Sequence, residues 1–242
     1  MKYILVIPAR FKSSRFPGKP LVKIDGISMI RRVYNQCLKA VDKELIYVAT
    51  EDQRIYDHCL RYDINCMMTT DKCLTGTDRI CEVSKKIDAD YYINIQGDEP
   101  LFNPNDINIL IKEIKSKRNK YEVYCGYCEI EYYKTFFSFD MPKVVFNSNK
   151  ELMYISRAPI PSNKLNEFKL GYRQVCGYAF SKKSLEIFDT KSKTSLELHE
   201  DIELLRFLEL GLKVKMLAMS KSSIPIDRTS DLKKVLKMIK NV

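Results

Sequence analysis

The residues of this chain that are best suited to chemistry stand in a basic loop near its start. The loop follows an apolar run at residues 3–7, and no acidic residue precedes Asp25. Arginine forks and lysine point charges neutralise polyphosphates, so the loop predicts a phosphate site, although a single run of charge is also typical of a plain solvated surface. Gly18-Lys19 is followed by Pro20, which excludes the Walker loop, and the dinucleotide glycine pattern does not match either. The cationic and hydroxyl residues of the loop are Arg10, Lys12, Ser13, Ser14, Arg15 and Lys19.

Acidic residues that could hold a hard cation stand at two further places. Asp98 and Glu99 directly follow an apolar run at residues 91–95. Mg²⁺ takes one or two carboxylates in proteins and leaves its other positions to substrate phosphates and water, whereas a Gly-Asp turn is the alternative interpretation. The second place is Asp227, because a neighbouring Ser or Asp fits the cap of the last helix better and leaves Asp227 available for chemistry.

Apolar periodicity predicts the elements that would position these residues. Short apolar runs predict buried strands, of which the first ends at Pro8, and apolar residues three or four apart predict helices between them. Strands that alternate with helices predict an α/β fold, with a mostly parallel sheet and helices on both faces. Because ligands bind at the carboxyl ends of such strands, the basic loop and Asp98 are expected at one edge of this sheet. The predicted strands are 3–7, 45–49 and 91–95, with helices over 29–41, 55–60, 80–87 and 107–114.

The pattern changes beyond residue 121, where shorter strands with few helices follow. This change predicts a small antiparallel lid or dimerisation subregion, inserted at about 122–195 into one domain that covers 1–242. Glu197, Glu200, Glu203 and Arg206 recur every three residues, which predicts neighbours on one face of a later helix. The strands of the subregion are predicted at 123–130, 143–146, 152–155 and 175–180, followed by a helix over 200–210, a strand over 214–219 and a last helix over 232–239.

Composition excludes several classes of protein. Hydrophobic residues make up 45% of the 242 residues, enough for a sizeable core, and no apolar run approaches the roughly 20 residues of a membrane-spanning helix. Met1-Lys2 leads straight into a predicted strand rather than a signal peptide, which predicts a cytoplasmic protein with reduced cysteines and no membrane partner. The net charge of +10 suits nucleic acid or a small anionic substrate. The lysines are dispersed among apolar helical positions, which favours the small substrate and predicts no nucleic-acid partner.

Two of the eight cysteines, Cys125 and Cys128, form a C-x-x-C pair. A zinc site would need a second pair or nearby histidines, and positions three apart on a strand point to opposite faces. Ordinary cysteines are therefore favoured over a structural zinc site.

Ordered motifs across residues 3–235 resemble the CMP-Kdo synthetases, the 3-deoxy-manno-octulosonate cytidylyltransferases. Any one motif could arise by chance, but the ordered series is specific. The motifs are Ile7-Pro8-Ala9-Arg10, residues 13–21, Val48-Ala49-Thr50-Glu51-Asp52, Thr75-Gly76-Thr77-Asp78-Arg79, residues 94–100, residues 154–161, residues 195–206 and Ile226-Asp227.

This resemblance implies a Rossmann-like nucleotidyltransferase fold, a CTP donor, Mg²⁺, an acidic 3-deoxy sugar and a homodimer. A sugar hydroxyl would attack the α-phosphorus of CTP in line, which needs alignment and charge neutralisation but no nucleophilic Ser or Cys. The resemblance implies Asp98 and Asp227 as metal ligands, and Asp98, Asp227, Lys19 and Arg15 as the catalytic set. The implied nucleotide-binding residues are Ala9, Arg10, Ser14, Arg15, Lys19, Thr75, Gly76 and Asp78. The implied sugar-binding residues are Arg79, Gln96, Arg157, Gln174, Tyr178 and Glu203.

The chain departs from the family pattern on the sugar side. Gln174 stands where the family has a histidine, and Arg228 is new beside Asp227. Glutamine donates and accepts hydrogen bonds but cannot gain charge near neutrality. The triphosphate and metal residues are kept, so the donor and the reaction are expected to be kept, with Kdo or a related acid as acceptor.

Two other functions stay open at this point. One is a nucleotidyltransferase for sugar 1-phosphates, or a glycosyltransferase with a related sheet, but such sugar 1-phosphate enzymes usually open with Gly-Gly-x-Gly-x-Arg where this chain has Pro8-Ala9-Arg10. The other is a nucleotide- or RNA-binding protein without catalysis, which only the charge suggests. The two metal-type acids, Asp98 and Asp227, argue against it.

Overall fold

A mixed β-sheet organises the fold. A computed structural model describes residues 1–12, 16–116 and 121–240, and within them nine strands share this sheet while two more form a separate hairpin. The strands are β1 (Tyr3–Ala9), β2 (Lys23–Ile24), β3 (Ile27–Ser28), β4 (Ile46–Thr50), β5 (Cys66–Met68), β6 (Tyr91–Ile95), β7 (Val123–Glu129), β8 (Lys143–Phe146), β9 (Leu152–Ser156), β10 (Tyr172–Ser181) and β11 (Val214–Ala218). The α-helices are α1 (Met29–Leu38), α2 (Gln53–Arg61), α3 (Gly76–Lys86), α4 (Pro104–Lys115), α5 (Tyr133–Phe136), α6 (Lys182–Asp189), α7 (Ser195–Glu200), α8 (Leu204–Glu209) and α9 (Thr229–Lys240).

The sheet is parallel on one side and mixed on the other. Its strand order is β11-β7-β10-β6-β1-β4-β5. Strand β1 pairs in parallel with β4 and β6, and β4 pairs in parallel with β5, whereas β10 runs antiparallel between β6 and β7. Parallel neighbours bring their carboxyl ends to one edge, so the predicted α/β class with a mostly parallel sheet is confirmed.

The segment predicted as an inserted subregion, 122–195, is divided between two places in the structure. Strands β7 and β10 lie in the middle of the main sheet, where the prediction did not put them. Strands β8 and β9 lie outside the linear strand order of the main sheet and form an antiparallel hairpin. Within the described residues, this hairpin pairs with β10 through Lys143 and Arg173. Strand-like runs in a sequence do not reveal which strand they pair with, so the sequence alone could not separate these two places. The bounds of the subregion stay a prediction.

Strand β1 continues through Pro8 to Ala9, so the prediction that it ends at Pro8 is wrong. The register with β6 stops at Val6 and Asn94, while β1 stays paired with β4 up to Ala9. Proline lacks the N–H that a central strand needs on both sides. Pro8 is tolerated because β1 has lost one of its two neighbours at that point.

Two apolar layers cover the two faces of the sheet. Leu5 and Ile7 pack in the layer with α1, α2 and α4, whereas Ile4 and Val6 pack in the layer with α3, α6 and α8. The alternation follows from the strand period of two. Cys128 lies in the first layer and Cys125 in the second, so the C-x-x-C pair faces both ways and does not form a joint metal site. Among the described helices, none combines the length and the apolarity that crossing a bilayer requires.

The predicted helix over 200–210 is broken in the structure. Helix α7 ends at Glu200, Asp201 has a left-handed φ of 53°, and α8 begins at Leu204. The spacing of Glu197 and Arg206 had predicted that they share one helix face. This prediction is wrong, because the two residues lie on different helices. They meet across the break, where Arg206 Nε donates to Glu197 Oε2 at 2.6 Å. A buried ion pair holds the two short helices together.

Candidate active site

A cavity of about 700 Å³ opens at the carboxyl ends of β1 and β6. Two predicted residues, Ser14 and Arg15, lie outside the described residues. Among the others, Asp78 does not line the cavity. The predicted residues that do are Ala9, Arg10, Lys19, Thr75, Gly76, Arg79, Gln96, Asp98, Arg157, Gln174, Tyr178, Glu203 and Asp227. The structure thus brings the predicted nucleotide, metal and sugar residues to one place, while the role of each residue stays a prediction.

The two described ends of the basic loop lie together, and Lys19 points at the acids. Gly18 N donates to Phe11 O at 2.9 Å, and Phe11 N donates to Glu51 Oε1 at 3.0 Å. Gly18 has a φ of 69°, in the left-handed region that glycine adopts without strain. The loop is therefore closed at its base and anchored to the end of β4. Arg10 is exposed at the cavity.

Lys19 links the two acids that the sequence singled out. Its Nζ donates to Asp98 Oδ2 at 2.6 Å and lies 3.6 Å from Asp227 Oδ1. Ile226 N also donates to Asp98 O at 3.0 Å, which ties the loop after β6 to the loop before α9. Both carboxylates are partly exposed to the cavity, and the single ammonium of Lys19 neutralises only one of their two negative charges.

Glu99 is a buried acid at this site that the sequence did not distinguish from its neighbour. It is 2% exposed, and its Oε2 has no hydrogen-bond partner among the described residues. Burial, followed by the negative charge of Asp98, raises the pKa of Glu99 to about 8. Two adjacent acids in a loop look alike in a sequence, and only the fold shows that one is partly exposed and the other is enclosed.

The N-terminus of α3 forms the wall of the cavity where the nucleotide is predicted. Thr75 and Asp78 make a reciprocal capping box, in which Asp78 Oδ2 accepts from Thr75 N at 2.8 Å and from Thr75 Oγ1 at 2.9 Å. Arg206 Nη1 donates to the other oxygen of Asp78 at 3.1 Å. Asp78, predicted at the nucleotide, lies outside the cavity lining and orders the loop that presents Thr75 and Gly76.

Gly76 and Gly97 leave little room for a side chain at the cavity. A Cβ on Gly76 would lie 3.2 Å from Gln96 Nε2, and a Cβ on Gly97 would lie 2.7 Å from Pro8 O. The second distance is shorter than real contacts of this kind. Gly97 therefore lets the loop after β6 lie against Pro8 of β1, and Gly76 lets the start of α3 lie against Gln96.

Glu203 faces the start of α3, although it also lines the cavity. Its carboxylate accepts from Thr77 N at 2.8 Å, from Gly76 N at 3.3 Å and from Thr77 Oγ1. Burial raises the pKa of Glu203. A carboxylate at a helix N-terminus satisfies backbone donors that would otherwise lack partners. In the described structure this acid stabilises the helix end, and its predicted contact with the sugar stays a prediction.

Two predicted sugar-side arginines are held by protein groups. Arg79 is 3% exposed, pairs with Glu51 Oε2 at 2.8 Å and donates to Thr69 Oγ1. Arg157 donates to Glu200 O at 2.6 Å, to Phe139 O at 3.0 Å and to Asp201 O at 3.1 Å. Three carbonyls fix the Arg157 guanidinium but do not neutralise it, so its charge is available to an anion in the cavity.

Gln174 and Tyr178 meet on β10 across a bulge that lies between Val175 and Tyr178. Gln174 Nε2 donates to Tyr178 Oη at 3.1 Å, and both side chains are buried. Burial raises the pKa of Tyr178 well above its ordinary value, and burial beside Glu99 does the same for the Cys176 thiol. Both groups stay protonated near neutrality, so Cys176 is no nucleophile here.

Comparison with known proteins identifies the family. A sequence profile of the cytidylyltransferases matches residues 4–223. The chain belongs to the cytidylyltransferase family.

Relatives of this cytidylyltransferase extend over nearly its whole length. The 3-deoxy-manno-octulosonate cytidylyltransferase of Protochlamydia amoebophila is 34% identical over 95% of this chain and 91% of its own length. The enzyme of the same name from Koribacter versatilis is 35% identical over 100% of this chain and 91% of its own length. A solved structure of a CMP:2-keto-3-deoxy-manno-octonic acid synthetase complexed with CTP superposes with a TM-score of 0.92 at 31% identity, and covers 100% of this chain and 99% of the other.

Family membership decides between the functions that the sequence left open. It favours a CTP-dependent nucleotidyltransferase over a binding protein without catalysis and over a glycosyltransferase. The geometry agrees, because Arg10 and Lys19 line the same cavity as the Asp98 and Asp227 carboxylates. Such an arrangement balances the charge of a triphosphate and of a metal ion that accompanies it.

Proposed function

We propose that this cytidylyltransferase transfers CMP from CTP to the anomeric hydroxyl of an acidic 3-deoxy-2-ulosonic sugar, Kdo or a close relative, with release of pyrophosphate. The observation that carries the proposal is the convergence of Lys19, Asp98 and Asp227 in one cavity with an arginine-containing sugar side. Relatives named for this reaction over almost the full chain support it. The sequence departs from the family pattern at Gln174, so the exact acid is the open part of the proposal.

We propose Mg²⁺ as the metal, held by Asp98 and Asp227. The fit rests on the donor set: two carboxylates from two loops converge on one ammonium, so this point of the cavity is built to balance a cation. Two carboxylates are also the usual protein share of a Mg²⁺ shell that substrate phosphates complete. Among the described residues there is no cluster of three or more His, Cys, Asp or Glu that would hold a metal without a nucleotide. When bound, the metal supplies charge neutralisation at the phosphates.

The other cavity residues would bind the two substrates. The cations Arg10 and Lys19 would bind the triphosphate, and the Thr75-Gly76 loop would lie against the nucleoside. On the other side, the fixed Arg157 guanidinium would face the acceptor carboxylate. An in-line attack on the α-phosphorus then needs only orientation of the hydroxyl and stabilisation of charge.

A pyrophosphate-release assay tests the proposal. CTP and Mg²⁺ are combined with Kdo, its 8-amino analogue, sialic-type nonulosonates and simple anionic acceptors, with UTP, ATP and GTP as donor controls. Turnover with CTP and at least one 3-deoxy acid is expected. Turnover with CTP and only some other acid would retain the mechanism and change the acceptor, and turnover with a sugar 1-phosphate alone would contradict the proposal.

Replacement of Gln174 by His is expected to raise kcat/KM for Kdo about tenfold at pH 6.5. A histidine here would restore the ring donor of the family pattern beside Tyr178, and one hydrogen bond to the sugar is worth about 0.5–1.5 kcal/mol. Steady-state kinetics with Kdo measure the change. Gln53→His on the exposed start of α2 is the matched control and should change nothing. An unchanged acceptor preference in Gln174→His would make this position incidental.

We further propose a cytoplasmic homodimer. All eight cysteines are free thiols, which suits a reducing compartment. Large apolar side chains are exposed around the β8–β9 hairpin, the following loop and α7, including Met153 at 65%, Leu165 at 73% and Leu198 at 64%. Such a surface is typical of an interface. Sedimentation should give twice the chain mass, and Met153→Lys with Leu198→Lys should give the monomer; a wild-type monomer would contradict the dimer.

A further inference from the structure

Lys143 is a buried cation that takes no part in the reaction as proposed. Its side chain is 0% exposed. It lies at the junction of three strands, because its backbone on β8 is in register with Ser156 on β9 and with Arg173 on β10. Burial of an ammonium is costly unless its donors are satisfied, so its partners indicate what it does.

The ammonium of Lys143 has three N–H groups, and three backbone carbonyls accept from it. It donates to Ser138 O at 2.7 Å, to Met141 O at 2.7 Å and to Arg157 O. The first two carbonyls belong to the loop before β8, and the third follows β9. One side chain thus joins the loop just before its own strand to Arg157, which lies 14 residues after Lys143 in the chain.

The two joined segments form one wall of the cavity. Asp140, Met141 and Pro142 line it from the loop, and Arg157 lines it from the end of β9. Arg157 in turn donates to Phe139 O at 3.0 Å, inside the same loop. The nucleotide side, with Lys19 and the start of α3, contains none of these residues.

We propose that Lys143 is a positioning residue for the acceptor half of the site: its ammonium holds the loop at 138–141 against Arg157 and so sets the affinity for the acidic acceptor. This inference rests on the proposed function, because it needs an anionic acceptor beside Arg157. Lys143 itself touches no substrate. Its loss should loosen the acceptor wall and leave CTP binding unchanged.

The charge of Lys143 is expected to titrate within the working range of an assay. Burial, followed by the positive charge of Arg157, lowers the pKa of Lys143 to about 8, and Glu200 at the end of α7 opposes the shift. Arg173 on β10 is in register with Lys143, and Asp140, which pairs with Arg228, lies in the loop whose carbonyls Lys143 binds. A neutral amine has two N–H groups, so one of the three carbonyls loses its donor above this pH.

This titration acts on stability and on acceptor binding in opposite directions. The folded chain binds fewer protons at Lys143 than the unfolded chain between pH 8 and the ordinary lysine value of 10.5, so this group makes the fold more stable as the pH rises. A loss of acceptor affinity above pH 8 is therefore not explained by unfolding at this residue.

The test compares the wild-type protein with Lys143→Met and with the control Lys183→Met, whose lysine on α6 is 71% exposed. KM for the acid that the wild type uses and KM for CTP are measured from pH 6.5 to 9.5. The KM of the wild type for the acid should rise about tenfold across pH 8, the size of one lost charged hydrogen bond. Lys143→Met should start about tenfold higher and stay flat, while every KM for CTP and the control stay unchanged.

The outcomes separate the two proposals. No turnover of the wild type with CTP and any acid would refute the proposed function. Turnover with an acceptor KM that is independent of pH, or equal changes in both KM values in Lys143→Met, would overturn the role of Lys143. If Lys143→Met does not fold, Lys143→Arg decides, because a guanidinium stays charged up to pH 9.5. An acceptor KM that no longer rises with pH in Lys143→Arg supports Lys143, and a rise equal to that of the wild type overturns the inference.

Discussion

Asp98→Asn is expected to lower turnover with CTP by about a thousandfold and to leave the fold intact. The amide keeps the size of the side chain but removes half of the carboxylate pair that faces Lys19 and would hold the metal. Asp98 is 26% exposed in its pair with Lys19, and such a pair contributes less than about 1 kcal/mol to folding. Steady-state pyrophosphate release and urea unfolding measure the two effects.

A second variant of the carboxylate pair and a control variant test this expectation. Asp227→Asn should show a loss of similar size, because Asp227 supplies the other half of the carboxylate pair. Asp57→Asn on the exposed face of α2 is the control and should retain full turnover. Wild-type activity in Asp98→Asn would remove this residue from the metal site and from the catalytic set.

Arg206→Met is expected to lower the free energy of unfolding by about 3–5 kcal/mol. Arg206 is 2% exposed and donates to both carboxylate oxygens of Glu197, at 2.6 and 2.7 Å, and to Asp78 at 3.1 Å. Removal of one partner leaves the buried Glu197 charge unpaired, and this costs far more than the loss of an exposed pair. The methionine keeps most of the apolar stem of the side chain.

Urea unfolding measures this loss, with Arg61→Met on the exposed end of α2 as the control. Arg206→Met should also raise KM for CTP, because Asp78 would lose the arginine that fixes the Thr75 loop. A change in unfolding free energy no larger than that of the control would contradict the account of the broken helix.

Most of the first half of the fold was predictable from its sequence because clear strand and helix patterns alternate there. Strand β5 was missed, since three half-buried residues, Cys66–Met68, give too short a pattern. The central place of β10 was missed for another reason. An antiparallel strand between β6 and β7 depends on pairing over long distances in the chain, which local periodicity does not contain.

The candidate site followed the same division. Lys19, Asp98 and Asp227 were predictable, because each stands in a loop next to a recognisable element and the motifs carry them in order. The burial of Glu99 and the three carbonyls around Lys143 were not predictable, because a sequence does not show whether a charged residue is buried or exposed. The split between α7 and α8 was also hidden, because Asp201 adopts its left-handed conformation without a glycine.

The measurement that tests the central claim most directly follows the phosphorus atoms of CTP. The protein is incubated with Mg²⁺ and Kdo, using CTP labelled in either the α- or the γ-phosphate, and the products are separated. The account predicts that the α-label moves onto a new species that contains the acid, while the γ-label leaves in pyrophosphate in equal amount. An α-label that is never joined to Kdo or to any other acid of the panel, or a γ-label that reaches the acceptor, would contradict it.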